Sequence, residues 1–190
     1  TLAAQPTFLM VGTLEPRKNQ ERLIEAFTRA ARRCPRLGQL ILVGSRRAFD
    51  HRYIDRVLAA VKRHASVSFC EEPTDEELHA LYESSDFTVF PSLEEGYGLP
   101  ILESIWHGRP CICGNSGVTA ELAAGGGCLP VDVRSIEHLA AAMEQLAMND
   151  ATLDTLTSEA LGRPLSGWDD YAKTLRWLLS EDTSVVGRAA

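Results

Sequence analysis

The 190-residue sequence lacks several features that would place it in a familiar class. No apolar run approaches the ~20 residues that a membrane-spanning helix needs. No basic segment precedes the first apolar run, which argues against a signal peptide, and without an initiator Met we expect a piece of a longer chain. Basic residues are not in excess: lysine plus arginine number 19 against 26 for aspartate plus glutamate, a net charge of −7. This balance argues against nucleic-acid binding, which needs a positive surface.

The sequence also lacks the usual signatures of metal and nucleotide sites. It contains no CxxC, D-x-D or HExxH, so we expect no metal. It has no Walker A loop, which requires GK[ST]. The segment GYGLPI does not complete G-x-G-x-x-G and follows the fourth predicted strand rather than the first, which argues against NAD. Five cysteines, an odd number, are typical of reduced cytosolic thiols.

What the sequence does contain is a regular alternation of short apolar runs and longer amphipathic segments. The runs predict strands at 7–11, 39–43, 67–69, 87–90, 110–113 and 128–130, and the segments predict helices at 19–33, 50–64, 74–82, 99–107, 119–124, 136–148, 151–161 and 168–179. Asn19 is the expected N-cap of the first helix, and Thr74 with Glu77 forms a capping box. The pattern predicts a single doubly wound α/β domain over 1–190, with about six parallel strands, flanking helices and a helical C-terminus.

Ligands of such sheets bind beyond the carboxyl ends of the strands, so the loops after the strands are the candidate sites. The first of these loops reads GTLEPRKN. Its Gly12 lets the backbone approach a ligand closely, and Arg17 and Lys18 stand just before a helix, whose positive end favours anions. The alternative is that both are solvated loop charges.

The loop after the fourth strand, PSLEEGYGLPILE, carries the richest pattern. Gly96 and Gly98 flank Tyr97 directly before a helix, where free N–H groups could cradle a phosphate. Glu95 and Glu103 lie eight residues apart, and carboxylates accept paired hydrogen bonds from the vicinal hydroxyls of a sugar or ribose. The alternative is that Glu95 is solvated and Glu103 only complements the helix dipole.

Together these motifs resemble the C-terminal, donor-binding domain of GT-B glycosyltransferases of the GT4 type. The resemblance runs from FLMVGTLEPRKN to SGWDDYAKTLRWLL and rests on E-x7-E (Glu95 to Glu103), GTLEPRKN, FPSLEEGYGLP and GVTAEL. It implies a Rossmann-like domain that is one half of a GT-B fold. The N-terminal, acceptor-binding half would be absent from these residues, and the last helix, about 168–180, would pack back toward the domain junction.

The resemblance also assigns roles to residues. It implies that Arg17 and Lys18 neutralise the diphosphate, that Glu95 contacts the donor sugar, and that Glu103 binds the ribose. Catalysis would rest on Glu95, Arg17 and Lys18. The implied donor-binding set is Gly12, Arg17, Lys18, Cys70, Glu71, Glu95, Gly96, Tyr97, Gly98, Leu99 and Glu103, with Cys70 and Glu71 near the base.

The activity implied is transfer of a hexose with retention of anomeric configuration, without a metal or other cofactor. GDP-mannose is the favoured donor, with UDP- and ADP-sugars as alternatives, and the acceptor would be a glycan or a lipid-linked glycan bound by the missing half. The resemblance further implies a cytoplasmic enzyme, peripheral at the inner face of the membrane, of which this fragment binds the donor weakly and does not turn over alone.

Two other kinds of function stay open at this point. One is a non-catalytic module that binds nucleotide sugars, against which the presence of Arg17, Lys18, Glu95 and Glu103 argues. The other is an epimerase or phosphorylase of the same fold. A phosphorylase would hold pyridoxal phosphate on a lysine, and the lysines other than Lys18 fall in predicted helices away from the candidate loops.

Overall fold

The computed structural model describes residues 5–47 and 50–181, so residues 1–4, 48–49 and 182–190 of the predicted domain lie outside the description. Six strands form one sheet: β1 (Thr7–Val11), β2 (Gln39–Gly44), β3 (Val67–Glu71), β4 (Phe87–Phe90), β5 (Cys111–Gly114) and β6 (Cys128–Val131). Eight α-helices accompany them in the described residues: α1 (Gln20–Arg33), α2 (His51–Arg63), α3 (Asp75–Ser84), α4 (Leu99–Trp106), α5 (Gly117–Ala123), α6 (Ile136–Met148), α7 (Asp150–Gly162) and α8 (Trp168–Glu181). The α/β prediction is confirmed.

The strands are parallel throughout and stand in the order β3-β2-β1-β4-β5-β6. This is the strand order of the Rossmann fold. The third strand extends two residues beyond its predicted end, because β2 continues to pair with it as far as Gly44 opposite Glu71. Apolar periodicity does not reveal that extension, since Cys70 and Glu71 lie past the apolar run.

Both faces of the sheet are covered, which explains why the strands are almost entirely apolar. On one face Phe8 and Met10 of β1 pack with α1, α2 and α6. On the other, Leu9 packs with α3, while Phe90 of β4 and the cysteines of β5 and β6 pack with α4, α5 and the end of α7. Neighbouring residues of one strand therefore enter different cores, as alternating side chains require.

The helix ends follow the sequence signals in several places. The capping box opens α3, with Thr74 Oγ1 accepting from the Glu77 N–H and the Glu77 carboxylate accepting from the Thr74 N–H. Gly108 follows α4 in the left-handed region at φ 64°, the conformation that favours glycine after a helix.

The last helix, α8, differs from the others because its described side chains are exposed, including Tyr171, Leu175 and Trp177. The prediction that α8 packs toward a domain junction stays a prediction. Across residues 5–47 and 50–181, no helix combines the length and apolar character needed to cross a bilayer.

Candidate functional site

The candidate site lies where the strand order reverses. β1 pairs with β4 through Phe8 opposite Phe87 and Leu9 opposite Thr88, although two strands intervene along the chain. The helices after β1 and β4 lie on opposite faces of the sheet, and this divergence opens a crevice between the two loops. The loops are joined at their base by a hydrogen bond of 2.7 Å from the Leu93 N–H to the Arg17 carbonyl.

Three donors from these two loops converge on one carboxylate oxygen, Glu95 Oε1. Lys18 Nζ lies 2.6 Å from it, an Arg17 guanidinium nitrogen 2.8 Å and Ser92 Oγ 2.7 Å. The two cations and the acid, separated by about 77 residues in sequence, thus form one cluster. We refer to Arg17, Lys18, Ser92 and Glu95 as the crossover cluster.

Lys18 is held in this cluster and is not a solvated loop charge. Its side chain is 9% exposed, and its ammonium lies 4.8 Å from the centre of the Phe90 ring, a favourable cation–π contact. Arg17 is more open, with 46% of its side chain exposed, and its other terminal nitrogen pairs with Glu15 at 2.7 Å. The alternative, in which both cations are solvated loop charges, is therefore wrong for Lys18, and each cation has a carboxylate partner.

The environment of Glu95 favours its ionised form. Partial burial alone would raise its pKa, but hydrogen bonds from Lys18 and Ser92 and the charges of Lys18 and Arg17 outweigh it, so the pKa lies below the ordinary value. Glu95 therefore carries a full negative charge at neutral pH and faces two positive charges.

Asn19 holds the crossover cluster in place in a way that the sequence did not reveal. It precedes α1 as predicted, but with φ 66° it is left-handed and its side chain makes no capping bond. Its amide instead donates to the Pro91 carbonyl at 3.1 Å and to the Val133 carbonyl at 2.9 Å. One buried side chain thereby ties the loops after β1, β4 and β6 together.

The loop between Glu95 and α4 contains two glycines with different surroundings. Gly98 is left-handed at φ 80°, and a Cβ there would lie 2.6 Å from the Leu122 side chain. A Cβ at Gly96 would meet no protein atom within 4 Å. In the described chain, the N–H groups of Gly96, Tyr97 and Gly98 donate to no protein group, and Tyr97 and Leu99 are exposed.

Glu103 is the fifth residue of α4 and is bound to a different partner. The Tyr82 hydroxyl of α3 donates to its Oε2 at 2.8 Å. Burial of Tyr82, together with the charge and hydrogen bond of Glu103, raises the pKa of this tyrosine well above its ordinary value. No hydrogen bond joins Glu103 to the crossover cluster within the described residues, so a shared ligand for them stays a prediction.

Cys70 and Glu71 lie at the end of β3, two strands away from β1. Glu71 pairs with Arg46 at 2.5 Å and lines an open cavity of about 350 Å³ with Arg47 and His51. Cys70 is partly buried against the small core around Leu9. Their predicted role near a base stays a prediction, as does the close backbone approach at Gly12.

Three contributors to the site were missed by sequence reasoning. Ser92 stands within FPSLEE and could have been suspected from its place three residues before Glu95. Glu15, next to Pro16, had no signal beyond its charge. Tyr82 lies 21 residues from Glu103, and nothing in the spacing indicates that the two meet.

The fold and the crossover cluster define a Rossmann-like α/β domain with a crevice lined by paired charges at its strand-order reversal. Residues 5–149 match the family described as glycosyl transferases group 1. The chain belongs to this family.

Known proteins agree with this assignment. O-antigen chain mannosyltransferase B of Escherichia coli is 30% identical over 162 residues, which are 85% of this chain and 42% of that protein. The solved sucrose-phosphate synthase of Thermosynechococcus elongatus is 26% identical with a TM-score of 0.81, covering 97% of this chain and 47% of the other. An Anabaena protein solved with UDP and glucose, at 23% identity, has a TM-score of 0.72 over 83% of this chain and 43% of its own. The chain thus spans less than half the length of these proteins, and its fold is that of a GT-B glycosyltransferase domain.

Proposed function

We propose that this chain is the donor-binding half of a retaining, metal-independent glycosyltransferase. The observation that carries the proposal is the crossover cluster, in which Arg17 and Lys18 contact Glu95. The cluster lies beside a loop whose backbone N–H groups donate to no protein group in the described chain. Two cations and a helix start favour the diphosphate of an activated sugar. Gly96 supports the proposal as well. A side chain would fit at this position without meeting protein atoms, so packing within the chain does not account for the glycine.

Donor binding would exchange the partners of the cations. The diphosphate would take the place of the Glu95 carboxylate next to Lys18 and Arg17, and Glu95 would then be free to accept hydrogen bonds from the sugar. A carboxylate can accept from two vicinal hydroxyls at once. Ser92 would continue to fix one Glu95 oxygen during this exchange, so the acid stays oriented.

The same groups would act on the reaction. Departure of the nucleoside diphosphate builds negative charge on the β-phosphate while the sugar becomes oxocarbenium-like. Lys18, Arg17 and the N–H groups before α4 would stabilise that charge. A hydrogen bond to a charged group contributes roughly 1.5–3 kcal/mol, and only the part that grows in the transition state increases the rate.

We further propose mannose, supplied as GDP-mannose, as the transferred sugar. The support is the name of the E. coli relative, an O-antigen chain mannosyltransferase, together with the GTLEPRKN loop. The acceptor, a glycan or lipid-linked glycan, would be bound by an N-terminal half outside this chain, with α8 packing toward the junction of the two halves. The whole enzyme would act at the inner face of the membrane as a peripheral protein.

Calorimetric titration with GDP, UDP, ADP and their mannose or glucose conjugates tests the proposal. We expect binding by the wild type and a loss of at least about tenfold in affinity for Arg17→Ala with Lys18→Ala, since each cation contributes a charged hydrogen bond. The matched control is Lys62→Ala with Arg63→Ala, a consecutive basic pair exposed at the end of α2.

Two outcomes would contradict the proposal. Equal binding by the wild type and the Arg17/Lys18 variant would show that the diphosphate does not bind at the crossover cluster. Absence of binding for every nucleotide and sugar nucleotide would contradict donor binding as the function of this chain. A preference for UDP- or ADP-sugars over GDP-mannose would retain the donor site and correct the donor.

A further inference from the structure

Tyr82 is a buried side chain that the proposed mechanism does not yet use. It belongs to α3, is 2% exposed, and packs against Leu9 and Val43 of the central strands. Its ring stacks on His107 with a centroid distance of 4.6 Å and an angle of 7°. The ring is therefore fixed on several sides, which leaves its hydroxyl in a defined position.

The hydroxyl of Tyr82 forms a hydrogen bond with a single atom of the candidate site. It donates to Glu103 Oε2 at 2.8 Å, and within the described residues no other donor reaches that carboxylate. A carboxylate has about four acceptor positions on two oxygens. One is taken by Tyr82, so the remaining positions, including all of Oε1, are available to a ligand.

The backbone of Glu103 is anchored by packing, because its neighbour Ser104 is fully buried and Ile101 and Ile105 enter the core. What remains free is the rotation of the side chain about its own torsions. An acid that must meet hydroxyls on one sugar ring needs those torsions fixed, since misplaced donors and acceptors lose most of their hydrogen-bond energy. The hydrogen bond from Tyr82 restrains the side-chain torsions of Glu103.

We infer that Tyr82 is a positioning residue for ribose recognition, setting the orientation of the Glu103 carboxylate that accepts from the ribose hydroxyls. The inference rests on the proposed function and extends it to a residue 21 positions upstream of the acid. It links the helix before β4 to the helix after it, so the orientation of a ligand-binding carboxylate depends on how α3 packs.

The test compares a ribonucleotide with its analogue lacking the ribose hydroxyls. The probes are whichever of GDP, UDP or ADP binds most tightly and its 2′,3′-dideoxy counterpart, titrated into the wild type, Tyr82→Phe and Tyr53→Phe. We expect the wild type to prefer the ribonucleotide and Tyr82→Phe to reduce that preference about three- to tenfold, equivalent to one net hydrogen bond. Tyr53 is the matched control, because its buried hydroxyl donates to Gln20 at 2.9 Å, away from Glu103.

A role in packing alone would lower the affinity for both nucleotides equally, and that result would overturn the inference. An unchanged preference in Tyr82→Phe would overturn it too, while leaving the donor site intact. Failure of the wild type to bind any nucleoside diphosphate would instead overturn the proposed function, and the inference with it.

Glu103→Gln tests the pair from the other side and does not depend on Tyr82→Phe being folded. We expect it to abolish most of the ribose preference, because an amide replaces the charged acceptor. The double variant should show no further loss, since both substitutions remove the same interaction. Additive losses in the double variant would mean that Tyr82 acts independently of Glu103 and would contradict the inference.

Discussion

Glu95 is the residue at which the charges of the site balance. Its side chain is 9% exposed and receives three donors on one oxygen, so its charge is compensated inside the protein. Neither Arg17 nor Lys18 presents a bare charge, because Glu15 and Glu95 pair with them.

The depressed pKa of Glu95 makes its contribution to stability depend on pH. A carboxyl whose pKa is lower in the folded state stabilises the fold above its unfolded pKa of about 4.3, and this stabilisation is lost as pH falls toward the folded value. We expect Glu95→Gln to be less stable than the wild type at pH 7 by about 1–2 kcal/mol, with the difference shrinking below about pH 4.3. Urea unfolding from pH 7 to pH 3 measures it.

Glu94→Gln is the matched control for this series, because the neighbouring Glu94 is exposed and has no ion pair in the described structure. It should leave stability nearly unchanged at every pH. A Glu95→Gln variant as stable as Glu94→Gln at pH 7, or a difference that grows on acidification, would contradict the assignment of Glu95 as a compensated charge.

The sequence was sufficient to identify most charged residues of the site but not their pairing. Arg17, Lys18 and Glu95 stood out because they occupy loops after strands, and the parallel sheet places those loops at one edge. Ser92 and Tyr82 did not stand out, since a serine in a loop and a tyrosine in a helix are common. Their contacts depend on packing angles, which no local pattern encodes.

Among the elements of the fold, the loops after β1, β4 and β6 are connected by the side chain of Asn19. Removing its amide leaves the buried carbonyls of Pro91 and Val133 without that donor. We expect Asn19→Gly, which tolerates the left-handed backbone, to lower the free energy of unfolding by about 2 kcal/mol. Asn19→Ala should lose about 1 kcal/mol more, because alanine adds the strain of φ 66°.

Chemical denaturation of the two variants separates the amide from the backbone. Nucleotide titration should show weaker binding in both, since the loop after β4 carries Glu95. If Asn19→Gly were as stable as the wild type, the amide bridges would not connect the loops. Equal stability of the two variants would show that backbone strain at this position is negligible.

Element boundaries could be predicted wherever the sequence contains a local signal for the start or the end of a helix. The capping box at Thr74 is such a signal, and it was observed. Asn19 was predicted correctly as the residue before α1 and wrongly as a side-chain cap. Its side chain bonds across the molecule because two carbonyls from distant loops are within reach, which is a property of the tertiary structure.

In the molecule taken as a unit, the proposed donor site lies beyond the carboxyl ends of β1 and β4, at one edge of the sheet. A reaction between two substrates needs a second surface to hold the acceptor, and the proposal places it in another half of the enzyme. We therefore expect the isolated chain to bind a nucleotide sugar and to release no more nucleoside diphosphate, with or without acceptor glycans, than Arg17→Ala with Lys18→Ala. Chromatographic detection of the released nucleotide measures this.

A protein that contains this chain together with the proposed N-terminal half, assayed in parallel, is the positive control. Sustained transfer by the 190 residues alone would contradict the division into halves and place the acceptor site within this chain. The sequence could not decide the point, because the position and partner of α8 depend on surfaces that local patterns do not describe.

The pairing of Arg17 with Glu15 and of Lys18 with Glu95 has a consequence for how the proposed donor would arrive. A bare cationic patch would attract phosphates from a distance, and dissolved salt would weaken that attraction steeply. Here the incoming anion must compete with carboxylates already in contact, while the same salt also loosens those internal pairs. The two effects oppose one another, so the capture of a donor by this crevice should vary little with ionic strength, and its selectivity should come from fit at close range.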